Sequence, residues 1–288
     1  MNTSEFISSL KLHGSFPTSD DLFSDADFLS LLNHQMLADL LPMMMKLNEE
    51  FFIFTKDFTI SQGSTYRVPT RAVGSIFRSL HVVDASSNYT SLVRLYEEDR
   101  PLSKSGYYLQ RNSVELSSDF TSNTLRMKIF ARPSKLVLTT DCAQITSIDS
   151  ATQVTVSATP STITTGTLID FVQNKNPYDL LGYDTATTLV SGTTITFASL
   201  PTDLAVGDWI CLPSEAPVLM FPEELHPVLV QSSLCKTLSS KKDKQYKDEL
   251  ETLMRVKEDA INMLDPRVQD NSNKVRTGKL IGYFSSGR

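Results

Sequence analysis

Ala143-Gln144-Ile145-Thr146-Ser147-Ile148-Asp149-Ser150-Ala151-Thr152-Gln153-Val154-Thr155-Val156-Ser157 decides how this chain is built. Two short runs rich in β-branched residues flank Asp149-Ser150-Ala151, a trio that favours a turn because short polar side chains bond their own backbone. The stretch reads as strand, turn, strand. Its composition, Thr and Ser with few charges, extends over residues 139–212. Further strand candidates follow at residues 167–172, 193–197 and 208–212, with Gly166, Gly182, Gly192 and Gly207 read as turns. The spacing predicts a small β-rich module over residues 140–211, self-contained and with its ends close together, as an inserted domain requires. It lacks the repeated unit of a solenoid.

Both flanks look different. Upstream, strand candidates at residues 58–60, 65–69, 76–83, 106–109, 113–116 and 124–130 predict a small antiparallel sheet, with loops at 84–88, 101–105 and 117–123. Before them, a short helical turn over residues 4–10 precedes Ser24, a good N-cap, with Asp25 and Asp27 placed to favour a helix N-terminus. Phe28, Leu31, Leu32, Gln35, Met36, Asp39 and Leu40 then follow helical spacing until Pro42 bends or restarts the helix. Downstream, Pro222-Glu223-Glu224 opens a helix with Leu225, Val228, Leu229, Leu234 and Leu238 as its apolar stripe. A second helix over residues 244–264 places Tyr246, Leu250, Leu253, Ala260 and Leu264 on one face and should pack against the first. The expected class is α+β. A helical bundle with an antiparallel β extension occupies residues 1–139 plus 212–265, the β-rich module is inserted at 140–211, and an extended tail covers 266–288.

Composition narrows the function. With 288 residues and 40% hydrophobic side chains the chain can bury a sizeable core. Its densest apolar run, Leu40-Leu41-Pro42-Met43-Met44-Met45, ends at Lys46, too short for a membrane span, and Met1-Asn2-Thr3-Ser4-Glu5 lacks the pattern of a secretory signal. Cys142, Cys211 and Cys235 read as reduced, buried thiols, and His13, His34, His81 and His226 are too scattered for a metal site. Net charge is -6; residues 266–288 carry Arg267, Lys274, Arg276, Lys279 and Arg288 against Asp270 alone, a net +4 that leaves -10 on the remainder. An acidic body argues against a general nucleic-acid binder. No phosphate-binding glycine loop and no G-x-S-x-G element occurs, so neither cofactor nor nucleophile is expected. The carboxylate pairs at Asp20-Asp21, Asp25 and Asp27, Glu97-Glu98-Asp99 and Glu223-Glu224 are explained as helix caps and solvated loops.

One ordered series of segments resembles a known family. Phe23-Ser24-Asp25-Ala26-Asp27 runs into Leu31-Leu32-Asn33 and, past a proline, Asn48-Glu49-Glu50-Phe51-Phe52. Gly63-Ser64-Thr65-Tyr66-Arg67-Val68-Pro69, Ala72-Val73-Gly74-Ser75-Ile76-Phe77-Arg78, Tyr107-Tyr108, residues 125–130 ahead of Arg132-Pro133, and a closing helical pair complete it. This order resembles the head-to-tail adaptor (connector, head-completion) proteins of tailed phages, over about 200 residues that exclude the insert and the tail. The resemblance implies a non-enzymatic virion protein at the head-tail junction, made in the bacterial host cytoplasm. Identical subunits would form a ring, twelvefold, between the portal protein and tail or second-ring proteins, with DNA passing through without sequence-specific contact. Met43, Met44, Met45, Leu225, Val228 and Leu229 are the expected oligomer interface. Arg267, Lys274, Arg276 and Lys279, with Leu280, Ile281, Tyr283 and Phe284 as anchors, are expected to dock on the portal or a neighbour. The alternatives are another neck or tail structural protein with a β decoration and, further off, a hydrolase with a carbohydrate-binding insert.

Overall fold

The computed structural model describes residues 1–16, 23–61, 65–96, 98, 105–117, 120 and 123–264. The tail of residues 266–288, with all eight of its expected docking residues, lies outside the described residues, as do Asp20-Asp21. The chain is mixed α and β, with a helical unit, a pair of small sheets and a six-stranded closed barrel.

Capping starts the helical unit. In α1 (Thr3–His13) the Asn2 side chain accepts from the Glu5 N–H while the Glu5 carboxylate accepts from the Asn2 N–H; Ser24 and Asp27 repeat the arrangement at α2 (Asp25–Gln35). The helix does not break at Pro42. A π-helical turn, Met36–Leu40, widens the backbone just before α3 (Leu41–Leu47), so the proline falls in a first turn, where its missing N–H costs little. After a 3-10 turn at Glu223–Leu225, α4 (His226–Lys241) runs through the middle of the unit, packed by α1, α2 and α5 (Tyr246–Leu264). Phe6, Leu10, Phe28, Leu32 and Leu40 are fully buried against Leu225, Val228 and Leu229. Each such side chain contributes about 1.5–3 kcal/mol by leaving water.

This packing corrects the expected interface. Leu225, Val228 and Leu229 are 0% exposed and Met44 3% in the single chain, so they have no surface to offer a neighbour. A stripe that looked too large for one helical pair is consumed because α4 is covered from several sides. Met43 and Met45 are half-buried against the same core.

The upstream strands form two sheets where one was expected. β1 (Ile53–Thr59), β7 (Thr124–Ala131), β3 (Ala72–Val83) and β4 (Tyr89–Ser91) pair in the order β1-β7-β3-β4, while β2 (Thr65–Arg67), β6 (Ser113–Leu116) and β5 (Tyr107–Gln110) make a second sheet. The reason is the alternation of β7, which buries Leu125, Met127 and Ile129 on one face. That face needs a cover, and Tyr66, Tyr107 and Val114 of the smaller sheet supply it.

The barrel is β9 (Ala143–Ser150), β10 (Gln153–Val156), β11 (Leu168–Val172), β12 (Leu180–Ser191), β13 (Thr194–Phe197) and β14 (Trp209–Cys211), in the order β10-β13-β12-β11-β14-β9 and closed by β9 against β10. Closure leaves no free sheet edge. Ile145, Val154, Val156, Ile169, Phe171, Ile195 and Phe197 fill it, two residues apart along each strand, with Phe171 and Phe197 edge to face at 5.0 Å. Gly182, read as a turn, instead lies inside β12 opposite Phe171, where a Cβ would stand 3.0 Å from both the Phe171 ring and Pro201. Two short parallel strands, β8 (Lys135–Leu136) and β15 (Glu215–Ala216), pair where the chain leaves the body for the barrel and returns. Among the described residues no helix is long and apolar enough to cross a membrane.

Candidate functional site

The most constructed polar region is the seam between barrel and body. Its apolar floor mixes both parts: Val137, Ala216 and Val218 from the body pack with Val172, Trp209 and Cys211 from the barrel. The insert therefore shares a core with its host, contrary to a self-contained module, although its ends do meet, Ala143 opposite Ile210.

Across this floor runs a buried ion pair. Arg71, in the turn between β2 and β3, donates from Nη2 to Asp170 Oδ2 at 2.5 Å, with the two side chains 7% and 0% exposed. Asp170 sits mid-strand in β11, flanked by the buried Ile169, Phe171 and Val172. The Ser214 N–H donates to the same oxygen at 2.8 Å and the Asp184 N–H to Oδ1 at 3.1 Å. One carboxylate thus ties the turn between β2 and β3 to β12 and to the segment that returns from the barrel. Such saturation is what keeps a charge tolerable away from water.

A second cluster joins the barrel to the helical unit. Tyr178, in the β11–β12 connection, donates its hydroxyl to Glu223 Oε1 at 2.8 Å; burial, then that bond, raise its pKa to about 12. His226, at the start of α4, is 3% exposed, with Nε2 3.2 Å from the Phe221 carbonyl and Nδ1 3.3 Å from the α-amino group of Met1. Those neighbours assign the proton to Nε2, leaving Nδ1 to accept. Burial first and the ammonium second depress the His226 pKa to about 4. Burial also lowers the α-amino group, with Glu5 and Glu223 opposing.

Arg71 separates two clefts. One, of about 230 Å³, lies between β1 and the barrel, where Phe54 and Tyr183 meet edge to face at 4.3 Å and Lys56 stands 4.7 Å from the Tyr183 ring. The other, of about 370 Å³, opens between Phe51, Arg132, Tyr178 and Met220. At the seam the carboxylate, imidazole and phenol are all engaged with protein partners, an arrangement that fixes orientation. Among the described residues no group of three or more His, Cys, Asp or Glu side chains could hold a metal.

Sequence reasoning placed none of these residues in a site. The signal for Asp170 was present: a lone carboxylate inside an apolar strand has to find a cation. Nothing in the sequence names Arg71 as that cation. Of the other expected carboxylate groups, Asp27 caps α2 and Glu223 and Glu224 lie in the 3-10 turn that leads into α4, while Glu97 and Asp99 lie outside the described residues. Among the described residues, apolar surface left outside includes Leu12, Leu37, Met254, Ile261 and Met263 on the helical unit, Tyr89, Val93 and Tyr96 beside the sheets, and Ile148, Leu168, Leu189 and Val206 on the barrel. No protein-family model matches the chain, and no curated protein matches it.

Proposed function

We propose that this chain is a structural protein of a tailed-phage virion, a head-to-tail adaptor that forms a ring between portal and tail and surrounds the DNA channel. The observation that carries the reading is where the resembling segments fall. In chain order they are the cap of α2, the 3-10 turn at Glu49–Phe52, β2, β3, β5, β7 and the α4–α5 pair, with α3, β1, β4 and β6 between them and the barrel outside the series. The helical bundle and its β extension are then the adaptor body, and the barrel is an addition that meets another ring or tail component. The acidic charge outside the tail suits a channel wall that must let DNA slide. Exposed Ile148, Leu168, Leu189 and Val206 favour, as a second reading, another neck or tail protein with the barrel as its decoration.

With the α4 stripe consumed inside the subunit, ring contacts fall to the outer face of α5, where Met254 and Ile261 stand two turns apart and are 60% and 37% exposed. Negative-stain microscopy of the protein alone and mixed with its portal tests the assignment, with rings or portal-bound collars expected. Absence of both rejects it. Met254→Glu should leave the fold intact and abolish collars, whereas Met44→Glu would place a carboxylate in the core and unfold the chain. The basic tail is proposed to dock on portal or neighbour, so a chain truncated after Asp265 should co-sediment with portal more weakly, most clearly at low salt.

A further inference from the structure

The ends of the inserted barrel carry two of the three cysteines. β14 runs antiparallel to β9 with Trp209 opposite Gln144 and Ile210 opposite Ala143, so the next step of the register sets Cys211 opposite Cys142. Ile145 donates to the Asp208 carbonyl at 2.9 Å and Gly207 to the Ile145 carbonyl at 2.8 Å, which marks that end of the ladder as hydrogen-bonded. Counting along the ladder, the Cys142–Cys211 pair falls at a non-hydrogen-bonded site, where opposed Cα atoms are about 4.5 Å apart, inside the range a disulfide spans. Both thiols are free in the structure. Both are buried, Cys142 at 5% and Cys211 at 0% exposure. Around them lies the floor that barrel and body share. Cys235, on α4, belongs to the helical core instead.

We infer that Cys142 and Cys211 form a redox site whose disulfide staples the first and last strands of the barrel together at its junction with the body. The reaction needs an oxidant, and a small-molecule disulfide such as oxidised glutathione suffices. Cys142, the more exposed of the two, attacks one sulfur of glutathione disulfide as its thiolate and expels one glutathione thiolate. Cys211 then loses its proton to solvent and attacks Cys142 Sγ, releasing the second glutathione. Two protein thiols are oxidised and one disulfide is reduced. Burial first, then the neighbouring Cys142 thiol and Asp170, pushes the Cys211 thiol up, so in a reducing compartment the pair stays as thiols. The staple closes the loop that carries the whole barrel, and this inference does not depend on the adaptor reading.

The test refolds the reduced full-length chain in a buffer of reduced and oxidised glutathione, alkylates free thiols, and maps the native fraction by mass spectrometry after non-reducing digestion. A Cys142–Cys211 linked peptide with Cys235 alkylated is expected. Cys235→Ser should retain the link, Cys142→Ser and Cys211→Ser should lose it, and oxidation of the Cys235→Ser protein should raise its thermal midpoint by about 5 °C, reversed by dithiothreitol. Should refolding return no native protein, the same mapping is applied to native protein held with oxidised glutathione a few degrees below its midpoint. Native protein with three alkylated cysteines, or a link that includes Cys235, overturns the inference.

Discussion

Two regions of this molecule are joined by the same chemical pair in opposite surroundings. On the four-stranded sheet, Asp57 of β1 lies directly opposite Arg126 of β7 and accepts twice, at 2.8 Å from Nε and 2.6 Å from Nη2, with the side chains 42% and 27% exposed. At the seam, Asp170 and Arg71 are almost out of water. The sheet pair has the better fork geometry, yet its ladder and apolar face hold β1 and β7 together without it. The seam pair spans segments with no ladder between them, and its charges have already lost their hydration. Geometry alone therefore misjudges which pair matters; the state left behind when one partner is removed decides.

The largest effect is expected at the seam. Asp170→Ala leaves the buried Arg71 guanidinium with only the longer contact to Asp184 Oδ1 at 3.7 Å and releases the Ser214 and Asp184 N–H groups, a loss of about 3–5 kcal/mol. Replacing both partners by apolar residues of similar size, Arg71→Met with Asp170→Leu, should recover a large part of that loss, because no buried charge is then left unpaired and the Asp184 carboxylate, 38% exposed, is open to water. Urea unfolding of the wild type, the single variant and the double variant measures both quantities. A single variant that loses less than about 1 kcal/mol would mean that water reaches Arg71 and that the seam is no different from the sheet.

His226 sharpens the comparison by adding charge to a buried site instead of removing it. Its pKa falls from 6.5 to about 4 on folding, so between those values the unfolded chain binds the extra proton and the folded chain does not. Stability is therefore full above pH 6.5 and declines as pH falls towards 4, by at most about 3 kcal/mol. The groups facing the ring act in both directions: the Met1 ammonium disfavours the proton, whereas Glu223 and the Phe221 carbonyl favour it. His226→Gln should flatten the slope between pH 6.5 and 4.5 in urea titrations. An unchanged slope would assign the acid sensitivity to other groups.

How much of this was legible in the sequence differs between the same regions. Ser24 with Asp27 and Pro222 before α4 act locally, and the structure places them where short-range rules put them, whereas the turn expected at residues 149–151 falls at 151–152 because β9 runs on to Ser150. β12 was missed because Gly182 reads as a turn, while its real constraint, the Phe171 ring and Pro201 against its α-carbon, comes from residues far along the chain. The interface stripe was misjudged for the same reason. Burial of Leu225 and Val228 depends on how many helices cover α4, which periodicity does not count. The Arg71–Asp170 pair spans 99 positions, and only the closed barrel brings its members together.

The smallest effect is expected at the sheet. Asp57→Ala removes a carboxylate that Arg126 grips with two hydrogen bonds, but the freed guanidinium remains open to water and still lies against the Tyr89 ring, 5.4 Å from its centroid. Water replaces the lost partner at little cost, and the cross-strand ladder from Ile53 opposite Phe130 to Thr59 opposite Thr124 does not depend on it. The thermal midpoint should fall by no more than about 2 °C at low salt, and by less at about 0.5 M salt, where a screened surface attraction contributes little in the wild type as well. Scanning calorimetry of the two proteins at both salt concentrations reads this directly. A fall as large as that of Asp170→Ala, insensitive to salt, would show that the Asp57–Arg126 fork is part of a desolvated contact, and exposure would then no longer separate the two regions.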